Sequence, residues 1–174
     1  MPRREQIIDL ATIDLGRVVA DVDEIRRHNP QRHQMEQLTA IVYCDPENHV
    51  CVGYKDVTRD EFWVTGHMPG RPLMPGVIMC EAAAQLCGYY AQRNRLMAEG
   101  HIVGFGGMDR VRFRDPVIPG DRLVIAAKLL KLRAGRMVNW LFQGFVRQAL
   151  VVEGEIWGVA LPIESVPAVE SERE

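Results

Sequence analysis

The stretch from His67 to Gln92 limits the fold more than any other part of the chain. It opens with three prolines in seven residues, Pro69, Pro72 and Pro75. Proline lacks the backbone donor that a helix interior or a central strand needs, so this part is a loop. From Pro75 or Gly76 the residues turn apolar: Val77, Ile78, Met79, Cys80, Ala82, Ala83, Ala84, Leu86 and Cys87. Proline is tolerated in a first helical turn, where its missing N–H costs nothing. A long helix is therefore expected from there to residues 95–99, with Gly100 as its stop. A helix apolar on every side has to be buried. Burying it requires a sheet that wraps around it.

The remaining sequence supplies such a sheet. Residues 39–45 and 49–57 read as a hairpin around Asp45-Pro46-Glu47-Asn48, a good turn sequence. Ile102–Phe105 and Val111–Phe113 flank Gly104, Gly106 and Gly107. No Lys-Ser/Thr follows these glycines, so a bulged strand lying close to a ligand or a helix suits them better than a phosphate cradle. Three longer strands follow, Leu123–Leu132, Met137–Val146 and Leu150–Ala160. In the last, Val152, Gly154, Ile156, Gly158 and Ala160 share a face suited to close packing on a helix. The class is α+β: one long helix and five or six antiparallel strands in a single domain over residues 26–161. Residues 1–25 form an appendage whose Ile7, Ile8, Leu10, Ile13 and Leu15 can cover one surface. Asp21 or Asp23 caps a short helix that His28-Asn29-Pro30 ends. Residues 162–174, rich in glutamate, are expected to be a disordered tail.

Charge and cysteine usage exclude several classes. The formal net charge is −2, which gives no global field for nucleic acid. The four cysteines contain no Cys-x-x-Cys pair, so neither a zinc nor a redox motif is present. Cys80 and Cys87 stand about 10 Å apart along a helix, too far for a disulfide. Cys44 and Cys51 lie within reach across a hairpin, but buried reduced thiols are the expectation for all four. His28 and His33 have no carboxylate or cysteine at ligand spacing, so no metal site is expected. The helix is short and carries Glu81, which argues against a membrane span. With no signal peptide recognisable, a cytoplasmic location follows by default.

The chemistry sits in the same central stretch. Glu81 is the only formal charge between Arg71 and Arg93. A carboxyl inside an apolar helix is paired, kept protonated or put to use, and burial favours its neutral form. Gln85, one turn on, can orient it or satisfy a neighbouring loop. Gly76 starts the helix, where N–H groups have no intrahelical partner and can polarise a carbonyl. His67 is carried in by the stiff loop. An imidazole, a carboxyl and a helix N-terminus suit proton transfer next to a carbonyl. Arg110, Arg112 and Arg114 alternate and so fall on one strand face, either solvated or available to an acidic partner.

The pattern His67-x-Pro69-Gly70-x-Pro72-x-Met74-Pro75-Gly76, followed by Glu81-Ala82-x-Ala84-Gln85, resembles the signature of the FabZ-type 3-hydroxyacyl-acyl carrier protein dehydratases. Phe113-Arg114-Asp115-Pro116 through Pro119-Gly120-Asp121 resembles that family's downstream strand and turn. The similarity extends from about Val57 to Ala160. It implies a hot-dog fold, with the helix as sausage and the sheet as bun. It also implies a cofactor-free dehydration of (3R)-hydroxyacyl thioesters to trans-2-enoyl thioesters, with His67 as base, Glu81 as acid and Gly76 binding the thioester carbonyl. An acyl tunnel lined by Met79, Phe105 and Met108 is expected. Docking of an acyl carrier protein on Arg110, Arg112 and Arg114 is expected too, as is a homodimer, often built into a trimer of dimers, with His67 and Glu81 meeting across the two-fold. Residues 31–37 depart from the family's apolar run. A hot-dog thioesterase and a non-catalytic acyl-binding subunit are the alternatives. An isomerising dehydratase is disfavoured, because that relative has Asp where Glu81 stands and Trp where Ala84 stands.

Overall fold

The computed structural model describes residues 5–165. A short helix α1 (Val22–His28) precedes the hairpin β1 (Ala40–Asp45) and β2 (Val50–Asp56). The long helix α2 (Gly76–Arg93) follows, and then β3 (His101–Phe113), β4 (Arg122–Arg133), β5 (Met137–Val146) and β6 (Ala149–Pro162). The six strands form one sheet in the order β1-β2-β4-β5-β6-β3, antiparallel throughout. The sheet wraps α2 as expected. Met79, Cys80, Ala82, Ala83, Leu86, Cys87, Tyr89 and Tyr90 of the helix are buried against Ile125, Val138, Trp140, Phe142, Val152 and Ile156 of the strands. The buried face of the helix carries alanine and cysteine, and glycine on β6 makes room for side chains of its neighbours β3 and β5. A Cβ on Gly158 would come within 2.7 Å of Val103 and 2.8 Å of Val138.

Several details differ from the sequence reading. The helix stops at Arg93, short of residues 95–99, because Arg95 takes a positive φ of 53° and the chain turns out. Residues 96–97 are then held to the β4–β5 turn by Gly135 N–H donating to the Leu96 carbonyl and by a bridge from Met97. The helix is not apolar all round: Glu81, Ala84, Gly88 and Gln92 are half-buried on one stripe, and Val77 is exposed. The glycines at 104–107 do not split β3. They are absorbed as a bulge between Phe105 and Gly107 in a continuous strand.

The appendage does cover a surface. Ile7, Ile8, Leu10, Ile13 and Leu15 pack on a second cluster, with Ala40, Val42, Val52, Tyr54, Val124 and Ala126. Asp21 caps α1 by accepting from the Glu24 N–H at 2.9 Å. At the other end, Pro162 completes β6 and Ile163–Ser165 make a 3-10 turn, so residues 162–165 of the expected tail are part of regular structure. Its residues 166–174 lie outside the described ones. All four cysteines are free thiols. Cys44 and Cys51 are direct cross-strand partners, with their sulfurs 3.1 Å apart. No helix among the described residues is long and apolar enough to cross a membrane.

Candidate active site

The His67 half is built mainly from backbone. The loop from His67 to Leu73 closes on itself through Leu73 N–H donating to the His67 carbonyl at 2.9 Å. The Leu73 carbonyl in turn lies 2.9 Å from His67 Nδ1. A carbonyl only accepts, so Nδ1 bears the hydrogen and Nε2 carries the free lone pair in the neutral ring. Met74 N–H donates to the Val117 carbonyl at 2.7 Å, which anchors the loop to the segment after β3. Pro75 then serves as a helix cap without a side-chain hydrogen bond. The N–H groups of Gly76 and Val77 have no acceptor among the described residues. Those of Ile78 and Met79 bond to the Pro75 carbonyl. The ring of Phe113 lies directly over Gly76, where any Cβ would meet ring carbons at 2.7 Å. Only glycine fits there. His67, Gly76, Met79, Phe113 and Arg114 line one open cleft.

The Glu81 half is built from side chains. Gln85 Nε2 donates to Glu81 Oε1 at 2.7 Å and also to the Met35 carbonyl at 2.6 Å. Gln85 Oε1 accepts from the Gln37 N–H at 2.8 Å. Both readings of Gln85 are therefore realised: it ties the 35–37 loop to α2 and orients the carboxyl. A second amide, Gln31 Nε2, reaches the same Oε1 at 3.4 Å. Glu81 Oε2 has no partner among the described residues. Glu81 borders a cavity of about 130 Å³ between α2, the end of α1 and strands β3, β5 and β6. This cavity is distinct from the His67 cleft, and the two share no lining residue. Within one chain, then, the imidazole and the carboxyl open onto different spaces.

A family model described as a FabA-like domain matches residues 29–155. The 3-hydroxyacyl-acyl-carrier-protein dehydratase FabZ of Syntrophobacter fumaroxidans is 38% identical over 154 residues, 88% of this chain and 99% of its own length. That of Agrobacterium fabrum is 37% identical over 143 residues, 82% of this chain and 91% of its own. The chain belongs to the FabZ-type dehydratase family. Solved structures agree on the fold. The dehydratase heterocomplex ApeI:P of Xenorhabdus doucetiae superposes with a TM-score of 0.68 at 18% identity, over 80% of this chain and 92% of that one. The fluoroacetyl-CoA thioesterase FlK gives a TM-score of 0.58 at 12% identity, over 68% and 89%.

In this FabZ-type chain the other expected site residues fall unevenly. Phe105 borders the Glu81 cavity, Met79 borders the His67 cleft instead, and Met108 borders neither and is exposed. The three arginines do not present one uniform face. A bulge between Asp109 and Arg112, with Arg110 at φ 55°, breaks the alternation that put them together. Arg110 pairs with Glu155 and Arg114 with Glu153, both buried carboxylates on β6. Arg112 bonds only to its neighbour's carbonyl and has no ion pair among the described residues. Sequence reasoning assigns neither Gln31 nor Phe113 a role in the site, although Phe113 opens the second block of family-like residues. Gln31 sits in the stretch that departs from the family pattern, and a polar residue directly after Asn29-Pro30 was the available signal.

Proposed function

We propose that this chain removes water from (3R)-hydroxyacyl thioesters carried on acyl carrier protein, giving trans-2-enoyl thioesters in fatty-acid or related lipid synthesis. The observation that carries the mechanism is the His67 tautomer. The Leu73 carbonyl claims Nδ1–H, which leaves Nε2 as the base for the C2 proton. The thioester oxygen takes up charge as that proton leaves. It is met by the Gly76 N–H and the positive end of α2. Glu81 then protonates the departing 3-hydroxyl from Oε2. Both amide donors point at Oε1, which leaves Oε2 as the oxygen that carries the proton. The acid activates the leaving group and the carbonyl stabilises the carbanion, so no step requires a metal or a redox cofactor.

The site is assembled across a two-fold, with His67 of one subunit facing Glu81 of the other. Two observations support this. His67 and Glu81 open onto separate spaces within one chain. β3 is also an edge strand of 13 residues, with Phe105, Met108 and Phe113 exposed along it, and such an edge is normally paired or covered. The test is incubation with a 3-hydroxyacyl thioester of acyl carrier protein and identification of the product. Enoyl thioester formation that disappears in His67→Ala is the expected result. Free carboxylic acid as the product would make this chain a thioesterase, and no turnover would make it a binding subunit.

A further inference from the structure

The four thiols are not equivalent. Cys80 and Cys87 are sealed in the core on α2, and burial raises both, which makes a thiol inert. Cys44 and Cys51 instead face each other across the β1–β2 hairpin. They are direct partners in the ladder, flanked by the regular pairs Tyr43–Val52 and Asp45–Val50, and their sulfurs lie 3.1 Å apart. Directly opposed residues in an antiparallel pair have Cα atoms about 4.5 or 5.5 Å apart, according to their place in the hydrogen-bond pattern. Both values fall inside the range that a disulfide spans. The end of the hairpin is also held in place. Asp45 Oδ1 accepts from the Glu47 and Asn48 N–H groups at 2.9 and 3.0 Å, and Tyr90 of α2 donates to the Asp45 carbonyl at 3.3 Å. Side-chain rotation alone can therefore join the two sulfurs.

The two members differ in access. Cys51 is fully buried, whereas Cys44 is half-buried. β1 is the edge strand at the opposite end of the sheet from β3, so pairing of subunits through β3 leaves it uncovered. The bond donated by Cys51, together with the charge of Arg93, lowers the Cys44 thiol below its ordinary value against the effect of burial. Cys51 is raised, by burial first and then by the same bond. The reachable sulfur is thus also the one disposed to be a thiolate, and the thiolate is the nucleophile. We propose that Cys44 and Cys51 form a reversible oxidation site, at which a peroxide is reduced and a cross-strand disulfide closes within one subunit. The Cys44 thiolate attacks one oxygen of the peroxide; the S–O bond forms and the O–O bond breaks. The departing hydroxide takes up the proton that Cys44 had released and leaves as water. Cys44 is then a sulfenic acid, oxidised by the two electrons that reduce the peroxide. Cys51 gives up its proton and attacks the Cys44 sulfur; the S–S bond forms, the S–O bond breaks, and the hydroxide leaves with that proton as a second water. This site is independent of the dehydratase reading.

The experiment treats the reduced, folded wild-type protein with hydrogen peroxide, blocks the remaining thiols after unfolding, and digests with trypsin. Arg32 and Lys55 bound one tryptic peptide, residues 33–55, that holds both Cys44 and Cys51 and neither of the other cysteines. That peptide should lose the mass of two hydrogens and escape the blocking reagent, while Cys80 and Cys87 are blocked in full. Dithiothreitol should restore both thiols, and a non-reducing gel should show no crosslinked dimer. Cys51→Ala should stop the reaction at the sulfenic acid, with dimedone captured on Cys44. Cys44→Ser changes only the half-buried partner and serves if Cys51→Ala does not fold; it should leave Cys51 unreacted over the interval in which the wild-type disulfide closes. Both thiols still free in the wild type when glutathione in the same solution has been oxidised overturns the proposal. So does sulfinic or sulfonic acid on Cys44 in place of the disulfide, or a disulfide between subunits. Oxidation of Cys51 at an undiminished rate in Cys44→Ser would overturn Cys44 as the attacking thiol.

Discussion

The two halves of the site are held by different materials. Around His67 the work is done by backbone: a loop closed by its own peptide groups, a carbonyl that fixes the imidazole tautomer, and the first N–H groups of a helix. Around Glu81 it is done by side chains drawn from distant parts of the sequence, Gln31, Gln85 and the 35–37 loop. A backbone-built half constrains the sequence only where proline or glycine is obligatory, so it leaves a compact motif. A side-chain-built half leaves scattered amides whose meaning depends on the fold.

The largest test of this division asks whether the halves belong to different subunits. His67→Ala and Glu81→Gln should each lower turnover by about 10²–10⁴-fold without unfolding the chain, since neither creates a cavity or strands a buried charge. Mixing the two inactive proteins under subunit exchange should restore about a quarter of wild-type activity: half the dimers are mixed and half of their sites are intact. If exchange is confirmed independently and nothing returns, both residues act within one subunit.

Next in size are substitutions that damage each half through its own material. Gly76→Ala forces the Phe113 ring aside, since the new Cβ would lie 2.7 Å from it. A cost of about 1–3 kcal/mol is expected, together with a fall in kcat as the free N–H moves. Adding Phe113→Ala should recover part of the stability, a non-additivity that a double-mutant cycle measures. Gln85→Leu leaves the Gln37 N–H and the Met35 carbonyl without their partner. It should cost about 1–3 kcal/mol for each buried group stranded, with no rescue by any change at Phe113. Rescue of Gln85→Leu by Phe113→Ala would mean that the halves are mechanically coupled.

This asymmetry also explains what was legible beforehand. The His67–Gly76 loop, the start of α2, the hairpin and the three long strands could all be read from proline, glycine and period-two patterning. So could Glu81, as a lone charge in an apolar run. The end of α2 could not, because Arg93, Asn94 and Arg95 are good enough helix residues. The stop is imposed from outside, by the β4–β5 turn that holds Leu96 and Met97. The arginine triplet misled for a similar reason. Strict alternation predicts one face, but a bulge centred on Arg110 cancels it, and the buried glutamates of β6 then capture two of the three. Gln31 was hidden because its partner is 50 residues away.

A smaller effect concerns two buried thiols of the helix that carries the Glu81 half. Burial pushes the Cys80 thiol up to about 11 and raises Cys87 further, whereas an unfolded thiol titrates near ~8.5. A raised folded value means that the native state holds the proton more tightly. The resulting stability is intact below about pH 8.5 and is lost as pH rises toward the folded value. Each thiol should therefore remove roughly 1.4 kcal/mol of stability per pH unit in that range. Urea unfolding at pH 8 and pH 10 reads this directly. A Cys80→Ala chain should show a shallower decline, and an unchanged slope would mean that the thiol is not held protonated by the fold.

The smallest expected effect lies at the outer margin of the His67 half, where β3 leads from Arg112 to Phe113 and on to the cleft. Arg110 and Arg114 already answer buried carboxylates, which leaves Arg112 as the member of the triplet available to an acidic carrier protein. A charge acting across solvent steers an approaching partner more than it holds a bound one. Arg112→Glu should accordingly raise KM a few-fold for a carrier-protein substrate and leave kcat unchanged. A short pantetheine thioester, which has no acidic protein attached, should be nearly indifferent. Raising the salt concentration should shrink the difference between variant and wild type, because exposed charges are screened over about 10 Å at 0.1 M. Equal losses on both substrates would place Arg112 in the shape of the cleft through its neighbour Phe113. No loss on either would move carrier docking away from β3 altogether.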